Sequence, residues 1–163
     1  MRHSTIDLGY RPRPQFEAFH NRSERFACIV AHRRAGKTVA CIADLQDAAL
    51  RSTKERPRFA YVAPYLRQAK ATAWDYLRSS VSPLISVGAR VNESELRVDY
   101  TNGGRVRLFG ADNADALRGG YFDGVVCDEY ADWDPRVWPE VIRPALSDRQ
   151  GWAVFIGTPK GHN

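Results

Sequence analysis

The sequence predicts an α/β fold with a mostly parallel central sheet flanked by helices. Three observations predict it. Short apolar runs alternate along the chain with stretches of helical spacing, the pattern produced when crossover helices join parallel strands. One apolar run, Phe26-Ala27-Cys28-Ile29-Val30, leads through a turn ending Gly36-Lys37-Thr38 straight into a helical stretch. A different signal, Thr101-Asn102-Gly103-Gly104 between two alternating segments, marks a β-hairpin inserted into that scheme.

The elements follow in order. Residues 1–14 are polar and basic and carry Pro12 and Pro14, so they read as an arm ahead of a single domain at 15–163. Pro14 suits the first position of a short helix, Gln15 to Asn21, because the amide it lacks would have no partner there. Arg25 to Ala31 is the first strand. Lys37 to Arg51 is the first long helix, with Ala40, Leu45, Ala48 and Ala49 turned toward a core. Lys54 to Pro57 form a turn, and Phe59 to Ala63 form a strand stopped by Pro64. Leu66 to Ser80 carries Ala69, Ala73, Trp74 and Leu77 at helical spacing and is ended by Pro83. Leu96–Tyr100 and Arg105–Phe109 are the arms of the hairpin. Ala111 to Gly120 is a loop or short helix. Gly124 to Glu129 is a buried strand ending in two acids, and Pro135 to Leu146 is a helix broken at Pro139 and Pro144. Trp152 to Ile156 is a last strand, running out into Gly157-Thr158-Pro159.

Composition narrows the class. A chain of 163 residues can bury one domain core. Its 44% hydrophobic and 26% charged content is that of an ordinary soluble domain. No apolar run approaches the roughly 20 residues of a membrane span, and the first fifteen residues, MRHSTIDLGYRPRPQ, lack the apolar core of a secretory signal. Cys28, Cys41 and Cys127 are odd in number and read as small buried residues in a reducing compartment. The net charge of +5 favours polyanions such as nucleic acid, although a solvated basic surface reads equally well from charge alone.

The chemistry begins at His32-Arg33-Arg34-Ala35-Gly36-Lys37-Thr38. Strand, Gly-Lys-Thr turn and helix together make the context of a phosphate-binding P-loop. Backbone amides there point at phosphate oxygens and the helix N-terminus adds its positive end. Lys37 would reach the β- and γ-phosphates of ATP, and the Thr38 hydroxyl would hold Mg²⁺. The first glycine of the motif is replaced by Ala31.

Val125-Val126-Cys127-Asp128-Glu129 is the second motif. Beside a P-loop, Asp128 would support Mg²⁺ and Glu129 would orient and polarise the attacking water, as general base or water-positioner. Two acids after a strand can also simply cap a helix. Arg33, inside the loop, could touch the γ-phosphate. Arg118, beside Gly119 and Gly120, could act as a mobile finger on transition-state charge, in cis or in trans. Either arginine could equally make a surface ion pair or a DNA-phosphate contact. Gln15 could read the adenine edge with paired hydrogen bonds or be solvated. Thr158 could sense the γ-phosphate or occupy an ordinary turn. The aromatics Tyr65, Trp74, Trp133, Trp138 and Trp152 read as core or domain-contact residues.

Taken in order, these motifs resemble the N-terminal ATPase domain of the large terminase subunit of tailed bacteriophages. Arg13-Pro14-Gln15 is similar to that family's adenine-recognition motif, and the segment from His32 to Thr38 to its arginine-bearing P-loop. Tyr61-Val62-Ala63-Pro64-Tyr65, with Gln68-Ala69-Lys70 and Trp74, resembles the segment after its second strand. Leu117-Arg118-Gly119 stands where the family carries a trans-acting arginine, Val126 to Glu129 match the metal and catalytic acids, and Ile156 to Gly161 resemble its coupling motif. The resemblance implies a P-loop NTPase of the ASCE/RecA-like group that uses ATP and Mg²⁺ to drive double-stranded DNA into a procapsid. Implied partners are DNA, the terminase small subunit, the portal protein and further copies in a ring, without a membrane, in the host cell cytoplasm. Full large terminases continue into a nuclease domain, so a chain ending at Asn163 is expected to be a truncated or separate half without nuclease activity. Two alternatives stand beside this reading. One is a helicase-like DNA-dependent ATPase, which would need a second RecA-like domain; the other is a nucleotide- or DNA-binding module that does not hydrolyse.

Overall fold

Seven strands form one sheet in the order β1-β7-β6-β2-β5-β4-β3. They are β1 (Phe26–Val30), β2 (Arg58–Ala63), β3 (Arg90–Asn92), β4 (Arg97–Asp99), β5 (Arg105–Gly110), β6 (Gly124–Asp128) and β7 (Trp152–Gly157). The computed structural model describes residues 7–32 and 36–158. The four pairings β1–β7, β7–β6, β6–β2 and β2–β5 are parallel, while β5–β4 and β4–β3 are antiparallel. The parallel α/β sheet with a hairpin extension is therefore as expected.

Helices cover both faces. They are α1 (Glu17–His20), α2 (Lys37–Arg51), α3 (Leu66–Ala69), α4 (Asp75–Ile85), α5 (Ala114–Leu117) and α6 (Arg143–Ser147). On one face Ile42 and Leu45 of α2 and Leu77 and Val81 of α4 pack against Tyr61, Val98, Val106, Leu108 and Val126 of the sheet. On the other, Ile142, Ala145 and Leu146 pack with Leu117 against Ala60, Val62, Val125 and Ala153. Each fully buried Leu, Ile or Val contributes about 1.5–3 kcal/mol of transfer free energy, so the two layers fix the strand ends relative to α2. The short α1 is tied to α2 by one carboxylate: Asp44 takes Arg22 at 2.8 Å and His20 at 3.2 Å. Tyr10 closes the set with a 2.8 Å hydrogen bond to His20. The segment bearing Gln15 is thereby held beside the P-loop helix.

Four expectations change. The helical run after β2 does not stop at Pro83 but continues to Ile85. A proline in the last turn forfeits one hydrogen bond near an end that is already losing them, and the buried Leu84 holds the turn down. Pro139 and Pro144 do not break their helix either. A π turn, Trp138–Ile142, leads directly into α6, and each proline stands at the start of its segment, where a missing amide costs least. Strand β3 has no counterpart in the expected elements, because three residues are too few to show alternation. Cys28 is exposed, whereas Cys41 and Cys127 are buried. It lies on the edge strand β1, whose outward face also leaves Val30 66% exposed. Tyr65, read as a core or domain-contact aromatic, is exposed, since it sits at the N-cap of α3, just past the end of β2.

Candidate active site

Strand β7 lies between β1 and β6, so three strand ends meet at one edge of the sheet: the P-loop strand, the acidic strand and the strand that delivers Thr158. Gly36 is the N-cap of α2 at φ +83°, a left-handed conformation that glycine adopts without steric cost. A side chain there would also meet Arg13, whose guanidinium carbon lies 3.2 Å from the position of a Cβ. Helix α2 has no side-chain N-cap bond and no acidic residue in its first turn. Its first amides and dipole end are thus arranged to accept an anion.

Lys37 is buried and its ammonium makes two hydrogen bonds. Nζ donates to the Ala31 carbonyl at 3.1 Å and to Thr158 Oγ1 at 2.5 Å. Thr158 in turn donates to Glu129 Oε1 at 2.8 Å. Lys37, Thr158 and Glu129 therefore form one chain of hydrogen bonds across three strand ends. Glu129 has φ +48° and ψ +45°, a left-handed backbone that costs a non-glycine residue about 1–3 kcal/mol and clusters at functional sites. The turn is pinned by the Glu129 amide, which donates to the Ile156 carbonyl at 2.9 Å.

Asp128 is buried. Burial raises its pKa and the neighbouring Glu129 charge adds to that, while the Tyr61 hydroxyl and Lys37 oppose it. The fully buried Tyr61 donates a short hydrogen bond to Asp128 Oδ2. Burial and the Asp128 charge hold its phenol well above the usual range, so it stays a donor. Trp133 Nε1 donates to the Asp128 carbonyl at 3.0 Å. The sequence reading missed the part played by Tyr61. The available signal was a tyrosine in an otherwise apolar buried strand, since the polar tip of such a residue needs a partner.

A hydroxyl on Thr38, in the first turn of α2, and a carboxylate on Asp128, at the end of β6, make a hard-oxygen donor pair. That pair fits Mg²⁺, which takes one or two protein oxygens and completes its shell with phosphates and water. Among the described residues no group of three or more His, Cys, Asp or Glu could hold a metal by itself. Tyr61→Phe is expected to weaken Mg²⁺ dependence about 10- to 100-fold in apparent affinity, the usual effect of losing an outer partner of a ligand. Nucleotide turnover titrated with Mg²⁺ reads this, and an unchanged midpoint would remove Tyr61 from the site.

The remaining expected residues fall as follows. Gln15 is exposed in the short turn Pro14–Phe16 ahead of α1, and His32 is exposed at the end of the β1 segment. Arg33, Arg34 and Ala35 lie outside the described residues, as does Pro159. Arg118 is not brought to the Lys37–Thr158–Glu129 cluster. It pairs with Asp115 at 3.2 Å on the surface and lines a cavity with Arg58 and Arg105, the first residues of β2 and β5. That is the end of the sheet opposite the site.

No protein-family model matches the chain. The large terminase subunit of Thermus phage G20c is 53% identical over 53 residues, 32% of this chain and 11% of that protein. The large terminase subunit of Escherichia phage T5 is 26% identical over 148 residues, 90% of this chain and 33% of that protein. Among solved structures, the large terminase ATPase domain of Thermus phage P74-26 matches with TM-score 0.79 and 29% identity, covering 96% of this chain and 68% of that one. In fold and in sequence the chain is similar to the ATPase domains of phage large terminases. The HK97 bacteriophage large terminase shares the fold, with TM-score 0.74 at 16% identity over 94% of this chain and 34% of that one. The chain spans a third or less of the length of these curated large-terminase relatives. The P-loop helix, the acidic strand and the Thr158 strand thus stand in a fold similar to that of large-terminase ATPase domains.

Proposed function

We propose that the chain is the ATP-hydrolysing motor domain of a DNA-packaging terminase, acting in the host cytoplasm on double-stranded DNA. The observation that carries this is the Lys37–Thr158–Glu129 hydrogen-bond chain, which ties the phosphate loop, the last strand and the acid into one unit. Lys37 and the first amides of α2 hold the triphosphate, with Gln15 on the adenine side and Arg33 and Arg34 in the loop. His32, Ala35 and Gly36 complete the loop backbone. Thr38 and Asp128 hold Mg²⁺, which when bound shields phosphate charge. Glu129 orients water and takes its proton as the γ-phosphorus–oxygen bond breaks.

Thr158 supplies the coupling. With a γ-phosphate near Lys37, the ammonium has a stronger acceptor than a neutral hydroxyl. Thr158 is then released from Lys37, and the segment after β7 can respond. Arg118 acts in trans, because its own chain holds it at the far end of the sheet; a ring of copies would bring it to a neighbour's triphosphate. The small subunit and the portal protein are the partners this role requires.

The test is ATP turnover with Mg²⁺ over a range of chain concentrations. Turnover per molecule that climbs with concentration is expected. Nucleotide binding without turnover at any concentration would make the chain a binding module instead.

A further inference from the structure

The extension of the sheet carries a second, unexplained concentration of charge. Arg105, Arg107 and Phe109 alternate along β5 and share one face. The pairings Arg58↔Arg105 and Arg97↔Arg107 place two more arginines on that face. The opposite face is apolar, with Val98, Val106 and Leu108 buried beneath the α2–α4 layer. On the arginine face a cavity of about 330 Å³ opens under the loop that follows α5, lined by Arg58, Arg105, Arg107, Phe109, Arg118 and Tyr121.

The charges in this cavity are unevenly compensated. Asp99 takes Arg105 at 2.6 Å and Arg97 at 3.1 Å, and Asp115 takes Arg118. The Arg58 guanidinium instead donates to carbonyls, Gly103 at 2.7 Å and Pro57 at 3.3 Å. Burial and the neighbouring Arg105 both push its pKa down. Arg107 Nε is buried with no hydrogen-bond partner, and its guanidinium lies 4.8 Å from the Phe109 ring centre. Among the described residues neither Arg58 nor Arg107 has a carboxylate partner. Two cations and a buried, unanswered donor in one cavity are complementary to an anion.

We propose that this arginine face, with Arg58 and Arg107 as its centre, binds the phosphodiester backbone of nucleic acid. A single phosphate would need one such group. Here the cations recur about 6.8 Å apart along β5 and about 4.8 Å apart across strands, a line suited to a linear polyanion that gains counterion release at each contact. This chain's own nucleotide site is separate, since Arg58 and Arg105 begin their strands while Asp128 ends β6, Thr158 follows β7 and Lys37 opens α2. The inference deepens the motor reading and rests on it for the identity of the polymer as duplex DNA.

The test is anisotropy of a labelled DNA duplex over a salt series, with wild-type chain, Arg107→Gln and Arg58→Gln. A fluorescent ATP analogue and thermal unfolding are measured on the same preparations. Arg107→Gln is expected to weaken duplex binding about fivefold at 0.15 M salt and to lower the salt slope by about 1, the signature of one lost phosphate contact. ATP-analogue binding stays unchanged. The unfolding midpoint changes little, because removing the buried, unanswered Nε offsets loss of the guanidinium's contact with the Phe109 ring. Unchanged duplex affinity and slope in both variants, or a wild-type chain that binds no duplex, overturns the proposal. So does a loss confined to inorganic phosphate, which would make this a free-anion site. Arg107-dependent duplex binding by a chain that binds no ATP analogue would support the proposal and overturn the motor reading alone.

Discussion

Glu129→Gln is expected to lower ATP turnover about 10²- to 10⁴-fold, the range a positioned general base supplies, while nucleotide binding changes little. The substitution is close to isosteric, and its amide oxygen can still accept the 2.8 Å hydrogen bond from Thr158. The left-handed backbone at φ +48° and the amide bond to Ile156 do not depend on the carboxylate. What is lost is the capacity to take a proton from water. Glu129 also raises the pKa of Asp128 by its charge, so the neutral amide leaves Asp128 more readily ionised and its hold on a cation no weaker. Binding and chemistry should therefore separate. Steady-state phosphate release gives one quantity and titration with a fluorescent nucleotide the other. Turnover within tenfold of wild type would show that Glu129 is not the base; loss of binding with turnover would show that it supports the loop.

The sequence announced the site more fully than its supports. Lys37, Thr38, Asp128 and Glu129 could be read because phosphate loops and acidic strand ends have short local signatures that depend on backbone geometry. Thr158 was readable only as a residue after a strand; its place between Lys37 and Glu129 follows from the order β1-β7-β6, and a non-local strand order leaves no local trace. Tyr61 escaped for the same reason, since its partner Asp128 lies on another strand. The helical runs through Pro83, Pro139 and Pro144 show tertiary packing overriding a local breaker. Cys28 shows the reverse error, an apolar neighbourhood taken for burial on a strand that is in fact an edge.

Arg118→Ala is expected to lower turnover about 10³-fold or more, the scale of an arginine finger, and its partnership with Glu129→Gln makes the prediction specific. Within one chain the two residues lie at opposite ends of β6. Arg118 precedes the strand and pairs with Asp115, whereas Glu129 follows it and meets Thr158. A five-residue strand spans about 16 Å, beyond the reach of an arginine side chain. A trans role then has a consequence that no cis role shares. A Glu129→Gln chain keeps an intact Arg118, and an Arg118→Ala chain keeps an intact Glu129. Each variant alone is inactive, but mixed together they rebuild complete sites at interfaces where the first donates its arginine to the second. Turnover in the mixture should rise well above the sum of the separate variants and should peak near equal proportions. A mixture no more active than its parts would place the arginine's effect within its own chain, through the loop to β6, and would remove the structural reason for a ring at this site.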